Sequence, residues 1–428
     1  MDVGTIIFAT FTILLLLGVP ISFSLGVASL VAMWFGTRVP MENIPQMMFA
    51  ASDSFTLLAI PFFILAGILM EKSGISGRLI NMANKVCGSS TGGLATVGVV
   101  ASMFFAAISG SGPATVAALG SILIPAMIAA GYEKGFSAAI MATAGGIGVI
   151  IPPSIAFIVY AVAANASIAK LFMAGFVPGV VVGLSLIGAG YLISKKRGYK
   201  GSEVATGAEI WQSTKEAFWG LMTPVIILGG IYGGIFTPTE AAGIAVIYAF
   251  IVGVFIHKEL KVSELPKVLV DTAISSAVVM LIVSSAAVFS WLLANQNIPT
   301  MMAQWFLGIS RDPIIILMLI NVLLLITGCF LDAISAMMIL VPILVPVVTT
   351  LGIDITHFGI IMTVNLAIGM VTPPVGVNLY VACSIADISI ERISKAVMPF
   401  LLASLVALLL ITYLPQLSLF LPNYLGMK

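Results

Sequence analysis

Residues 147–154 read IGVIIPPS, and residues 368–375 read IGMVTPPV, 221 positions later. Both segments interrupt long apolar stretches. At the same offset, Ile122 through Pro153 carries ten identities with Ile343 through Pro374, among them Pro125/Pro346, Gly131/Gly352, Gly148/Gly369 and the Pro-Pro pairs themselves. Pro178 and Pro399 keep the register. A match at one fixed offset marks an internal duplication, as found in transporters built from paired repeats.

The composition sets the solvent. The chain is 60% hydrophobic and 8% charged, with a mean hydropathy of +1.19 over 428 residues. Its apolar runs repeatedly reach the length needed to cross a bilayer as helix, so it is read as an all-α polytopic membrane protein. A net charge of +1, with the charges held in short loops, argues against nucleic-acid partners. The first apolar run starts almost at Met1 without a basic leader and is read as a retained helix. Cys87, Cys329 and Cys383 stand alone, without the spacing of a disulfide framework or a metal cluster.

Ten spans are predicted, near 4–18, 20–36, 54–70, 136–163, 172–194, 218–236, 239–256, 267–292, 358–384 and 397–420. Two further pairs of apolar arms, 93–107 with 113–130 and 313–328 with 334–350, reach only about 22 to 27 Å as helix, against a hydrocarbon core of about 30 Å. They read as re-entrant hairpins. The layout places Lys72, Arg78, Lys85, Lys134, Lys195, Lys196, Arg197, Lys200, His257, Lys258, Lys261, Arg392 and Lys395 on the cytoplasmic side, as the positive-inside rule requires. Asp2, Arg38, Glu42, Lys170, Arg311, Asp312, Asp354 and Lys428 face outward. Five crossings per half then give two repeats of opposite orientation, 1–200 and 213–428, joined by a cytoplasmic linker at 201–212. Connectors at 74–90 and 298–311 read as either interfacial helices or surface loops.

Backbone turns at membrane depth survive only when buried in protein or facing a wet cavity. Each half has two: the tips at 108–115 and 327–335, and the breaks at 142–154 and 363–376. Proline removes donors there and glycine permits unwound geometry, leaving carbonyls able to hold a small hard cation. Pairing tips with breaks predicts two Na⁺ sites. One would use Ser109, Ser111, Gly146, Val149 and Pro152, the other Gly328, Asp332, Met370, Thr372 and Pro373. Asp332 is a carboxylate deep in an apolar stretch, where a charge is costly without a cavity or partner; it reads as a solute, cation or proton group, or as a cap on nearby backbone. Ser111, Ser154, Thr372 and Asn378 are candidate hydrogen-bonding groups for a polar solute, each equally able to bond its own helix backbone. Glu240, three residues after Thr237, reads as half of a capping box.

These stretches together resemble the large membrane subunit of tripartite ATP-independent periplasmic (TRAP) transporters, the DctM-like permeases. The similarity is carried by LLLLGVPISFSLG (14–26), LLAIPFFILAGILMEKSGI (57–75), SGSGPATVAALGSILIPAM (109–127), GGIGVIIPPSIAFIVYA (145–161), PVIILGGIYGGIFTPTEAAGIAVIYA (224–249) and GMVTPPVGVNLY (369–380). The resemblance implies Na⁺-driven uptake of an organic acid, such as a C4-dicarboxylate or sialic acid, across a bacterial or archaeal inner membrane. It also implies a soluble periplasmic binding protein and a small four-helix membrane subunit, expected as a separate polypeptide. In such proteins the hairpins and broken helices, here 93–163 and 313–384, move as an elevator against a scaffold, here 1–70, 172–194, 218–292 and 397–420. The rival is an inverted-repeat carboxylate symporter without a binding protein. An intramembrane protease is disfavoured, because only His257 and His357 exist, both at span ends, and Asp332 has no second midplane aspartate.

Overall fold

The computed structural model describes residues 3–37 and 39–427. Asp2, Arg38 and Lys428, expected outside, lie beyond the described residues. The first half runs α1 (Val3–Leu16), α2 (Ile21–Gly36), α3 (Asn43–Ser52), α4 (Ala59–Lys72), α5 (Ile75–Cys87), α6 (Gly93–Ser109), α7 (Gly112–Ala129), α8 (Lys134–Gly146), α9 (Ile155–Ala164) and α10 (Ile168–Arg197). The second runs α11 (Gly207–Tyr232), α12 (Pro238–Ile251), α13 (Leu265–Asn295), α14 (Ile298–Ile309), α15 (Pro313–Phe330), α16 (Ala333–Thr350), α17 (Ile355–Gly369), α18 (Val377–Ala386), α19 (Ile390–Tyr413) and α20 (Gln416–Tyr424). Among the described residues, eight helical stretches are long and apolar enough to cross a membrane. Adding 221 to the bounds of α7 gives those of α16.

The hairpins are α6–α7 and α15–α16, and the predicted spans 136–163 and 358–384 are each split into half-helices, α8/α9 and α17/α18. Gly110 makes the first tip possible: it ends α6 at φ +60°, in the left-handed region open to glycine. Each break contains a cis Pro-Pro bond, Pro152–Pro153 and Pro373–Pro374. Capping follows the sequence at Thr237, which accepts from the Glu240 N–H while the Glu240 carboxylate accepts from the Thr237 N–H at 2.7 Å.

Several boundaries differ from expectation. The sequence places the polar linker at 201–212, but Thr206 and Glu209 form a second capping box and start α11 at Gly207. The span expected over 397–420 ends at Tyr413; Pro415 has no N–H to continue α19, and α20 begins at Gln416. The two connectors are helices, α5 and α14, and α3 was not foreseen.

Packing divides the helices into an outer set, where α2 lies on α1 and α13 and α4 lies on α12 and α13, and an inner set of α6–α9 and α15–α18. Residues 172–194 and 397–420 were expected in the outer scaffold; instead α10 and α19 pack on each other and on α6, α8 and α17. The cause is a run of small residues on α10. A Cβ at Gly175 would lie 2.7 Å from the Ile150 carbonyl, so α10 rests directly on the first break. At the centre, a Cβ on Gly146 would meet the Ala367 carbonyl at 3.3 Å. These two residues are themselves 221 apart, and equivalent positions touch only where a pseudo-two-fold axis passes.

The charges sort to the two ends of the bundle. Arg78 pairs with Glu259 at 2.6 Å, Lys85 with Glu209 at 2.8 Å, and Glu133 with both Arg197 and Arg392. At the other end of α10, Lys170 meets Asp354 at 3.4 Å. A membrane-impermeant thiol reagent should therefore label Lys196→Cys and Thr350→Cys from opposite sides; labelling of both from one side would rule out the inverted layout. Ahead of the apolar part of α11, the Lys85 ammonium and the Thr206 N–H hold the Glu209 carboxyl down at about 2. A carboxyl depressed on folding adds stability above its unfolded value of 4.5, which fades as pH falls toward 2. Hydrogen-exchange protection factors at 206–210 should fall through that window, and Lys85→Ala should shift the midpoint upward.

Candidate functional site

Both hairpin tips and two outer helices enclose a cavity of about 290 Å³. Its walls include Ser111 and Gly112 of the first tip, Asp332 and Ala333 of the second, and Ile68 of α4 facing Val279 of α13. Ser109, Val149 and Met370 also reach it. The site is thus assembled from both halves, at the seam between the inner and outer sets.

The first tip carries a compact set of oxygens. Ser109 Oγ donates to the Ser111 carbonyl at 3.0 Å, and Thr115 Oγ1 donates to the same carbonyl at 2.8 Å while lying 3.2 Å from Ser109 Oγ. Gly148 seats this tip on the first break, because a Cβ there would lie 2.7 Å from the Ser111 carbonyl and 2.6 Å from Thr115 Oγ1. Thr115 is fully buried and was not among the residues singled out from the sequence. Its signal was present: it sits one turn past Ser111 on the same helix face. Hydroxyl and carbonyl oxygens are the donor types a small hard cation takes.

The second tip is built differently. Asp332 Oδ1 accepts from the N–H groups of Ile334 and Ser335 at 3.0 and 3.1 Å, and Oδ2 accepts from Ser335 Oγ at 2.5 Å. The carboxylate therefore caps α16, whereas Ser111, its counterpart, leaves the start of α7 without a side-chain cap. Gly328 and Gly369 press this tip against the second break. The Gly376 N–H donates across the same contact to the Cys329 carbonyl at 3.3 Å.

The remaining predicted residues separate by position. Thr372 Oγ1 donates to the Ile368 carbonyl at 2.7 Å, the backbone use that sequence left open. Ser154 is fully buried and donates to the Val149 carbonyl at 2.7 Å, behind the cavity rather than on its wall. Asn378 is fully buried against Gly112; its Nδ2 donates to the Ala142 carbonyl at 3.2 Å and its Oδ1 has no partner. The Met370 carbonyl accepts from the Asn378 N–H at 3.1 Å. Gly146 lies at the central axis beside Ala367, while Pro152, Pro373 and Gly328 shape the breaks and their tip contact without lining the cavity.

Comparison with known proteins agrees with this architecture. Residues 8–417 match the family described as tripartite ATP-independent periplasmic transporter, DctM component. The chain is 50% identical over 416 residues to the isethionate TRAP transporter permease protein DctMQ of Oleidesulfovibrio alaskensis, covering 97% of this chain and 66% of that longer protein. It is 43% identical to the C4-dicarboxylate TRAP transporter large permease protein DctM of Rhodobacter capsulatus, with 99% of each chain covered. The fold is shared with the Alcanivorax borkumensis YdaH transporter at a TM-score of 0.64 and 16% identity, over 88% of this chain and 89% of that one. With the family pattern spanning nearly its whole length, the chain belongs to the DctM component family of tripartite ATP-independent periplasmic transporters.

Proposed function

We propose that the protein is the large permease of a Na⁺-coupled importer for a small organic acid, with the inner helices moving as a unit past the outer ones. The observation that supports this best is the shared cavity: two tips from opposite repeats close on one space against α4 and α13. Na⁺ would be held at the first tip by Ser109, Ser111 and Thr115, and at the second by the tip and break around Asp332 and Thr372. The solute anion would sit at the uncapped start of α7, where free N–H groups and the helix dipole favour negative charge. Relatives named for isethionate and C4-dicarboxylates, and the sialic acid suggested by family resemblance, all supply a carboxylate or sulfonate for that end.

The proposal includes a small membrane subunit and a periplasmic binding protein that delivers the solute, in the cytoplasmic membrane of the cell. Proteoliposomes holding both membrane subunits, supplied with the binding protein, should accumulate isethionate, succinate or N-acetylneuraminate only under an inward Na⁺ gradient. Accumulation indifferent to Na⁺ and to the binding protein would overturn the mechanism and favour a self-sufficient symporter.

A further inference from the structure

Glu71 belongs to no tip, break or capping box, yet it lines two cavities at once. It closes the 290 Å³ space between the tips, and it also lines a larger cavity of about 800 Å³ at the end carrying Arg78 and Glu259. That end holds the lysine and arginine clusters and is the cytoplasmic one under the positive-inside rule. Glu71 therefore borders both the central site and the space at the cytoplasmic end.

Its setting leaves the charge free to act. Ile64, Gly67, Ile68 and Glu71 form one stripe of α4, at i, i+3, i+4 and i+7, and all four face the central cavity. Within the larger cavity, Arg78 is neutralised by Glu259 at 2.6 Å, and Glu216 accepts from the Gln212 amide at 2.9 Å. Lys72 lines neither cavity, and Glu71 makes no ion pair among the described residues.

The duplication supplies a comparison inside the same molecule. The positions 221 residues on are Ser285, Val288, Phe289 and Leu292 of α13, each at most 1% exposed. The stripe that is open on α4 is covered on α13 by the outer helices α1 and α2, with Phe289 against Phe8 and Phe11 and Ser285 beside Gly26. At the place of Glu71 the second repeat carries an uncharged leucine, Leu292, so the two repeats differ there by one carboxylate.

We propose that Glu71 is an inner-gate selectivity residue: its carboxylate draws cations through the cytoplasmic passage and hinders anionic solute from re-entering, while the repeat-equivalent position, Leu292, carries no charge. This rests on the reading that the solute is an organic anion. The residue acts on rates and on one-sided apparent affinity; the accumulation ratio at equilibrium stays set by the driving ions.

The test uses thiol reagents, so it does not depend on knowing the solute. In the otherwise cysteine-free permease in nanodiscs, Ser275→Cys on the opposite cavity wall is reacted with cationic and anionic methanethiosulfonates of similar size; Val204→Cys, on the surface linker, gives the reference ratio. The cation-to-anion rate ratio at 275 should exceed that reference, fall at least about threefold with Glu71→Gln, and be retained with Glu71→Asp. A ratio that ignores Glu71→Gln overturns the gate. In proteoliposomes, Glu71→Gln should lower the KM for isethionate efflux by more than it changes the influx KM; equal change in both directions would also overturn it. Failure of the wild-type protein to carry isethionate, succinate or N-acetylneuraminate would instead sink the solute reading, with the reagent ratios still reporting on the gate.

Discussion

Gly369→Ala should cut Na⁺-driven uptake by about tenfold or more while the protein still inserts. The added Cβ would lie 2.5 Å from the Gly328 Cα and 2.9 Å from the Gly328 carbonyl oxygen. Both are backbone atoms, so no side chain can rotate away, and the second tip must lift off its break. Overpacking of this kind costs about 1 to 3 kcal/mol, and each 1.4 kcal/mol is about tenfold in an equilibrium. Gly188→Ala is the matched control, because nothing lies within 4 Å of its Cβ position. Gly148→Ala should behave like Gly369→Ala. Full uptake by both would show that tip-to-break contact is dispensable for transport.

Asp332 allows two roles to be separated by one atom. Asparagine is about as good an N-cap as aspartate, so Asp332→Asn should keep the bonds to the Ile334 and Ser335 N–H groups, while the Ser335 hydroxyl turns to another acceptor. If the charge serves the cation or solute, Asp332→Asn loses at least about tenfold in uptake with its fold intact. Asp332→Ala loses the same and also destabilises the start of α16 by about 1 kcal/mol. Uptake assays paired with hydrogen exchange over 333–337 measure both effects. Normal uptake by the asparagine variant would reduce Asp332 to a helix cap.

Much of this arrangement was legible in the chain. The 221-residue offset located both breaks and the short apolar arms located both tips, because paired Pro-Pro and glycine segments at matching depth in two repeats are more than single kinks. The Thr237–Glu240 spacing, ahead of an apolar run, announces its capping box, whereas the same spacing at Thr206–Glu209 lies inside a polar stretch that resembles linker. The placement of α10 was not legible. Gly175 and Gly179 announce close contact, but small residues do not say which partner approaches. Glu71 was overlooked since a carboxylate at a span end, beside Lys72, looks like ordinary solvated charge. Only the two cavities meeting at its side chain distinguish it.

The meeting of Gly146 with Ala367 reaches beyond the present molecule. A contact between one position and its own duplicate is isologous, the kind a two-fold homodimer makes. A half-length ancestor inserted in both orientations would have touched its twin through this residue, and a single seam would have felt every substitution there twice. Within one chain that constraint is absent: glycine on one side and alanine on the other can differ because each copy of the position changes alone.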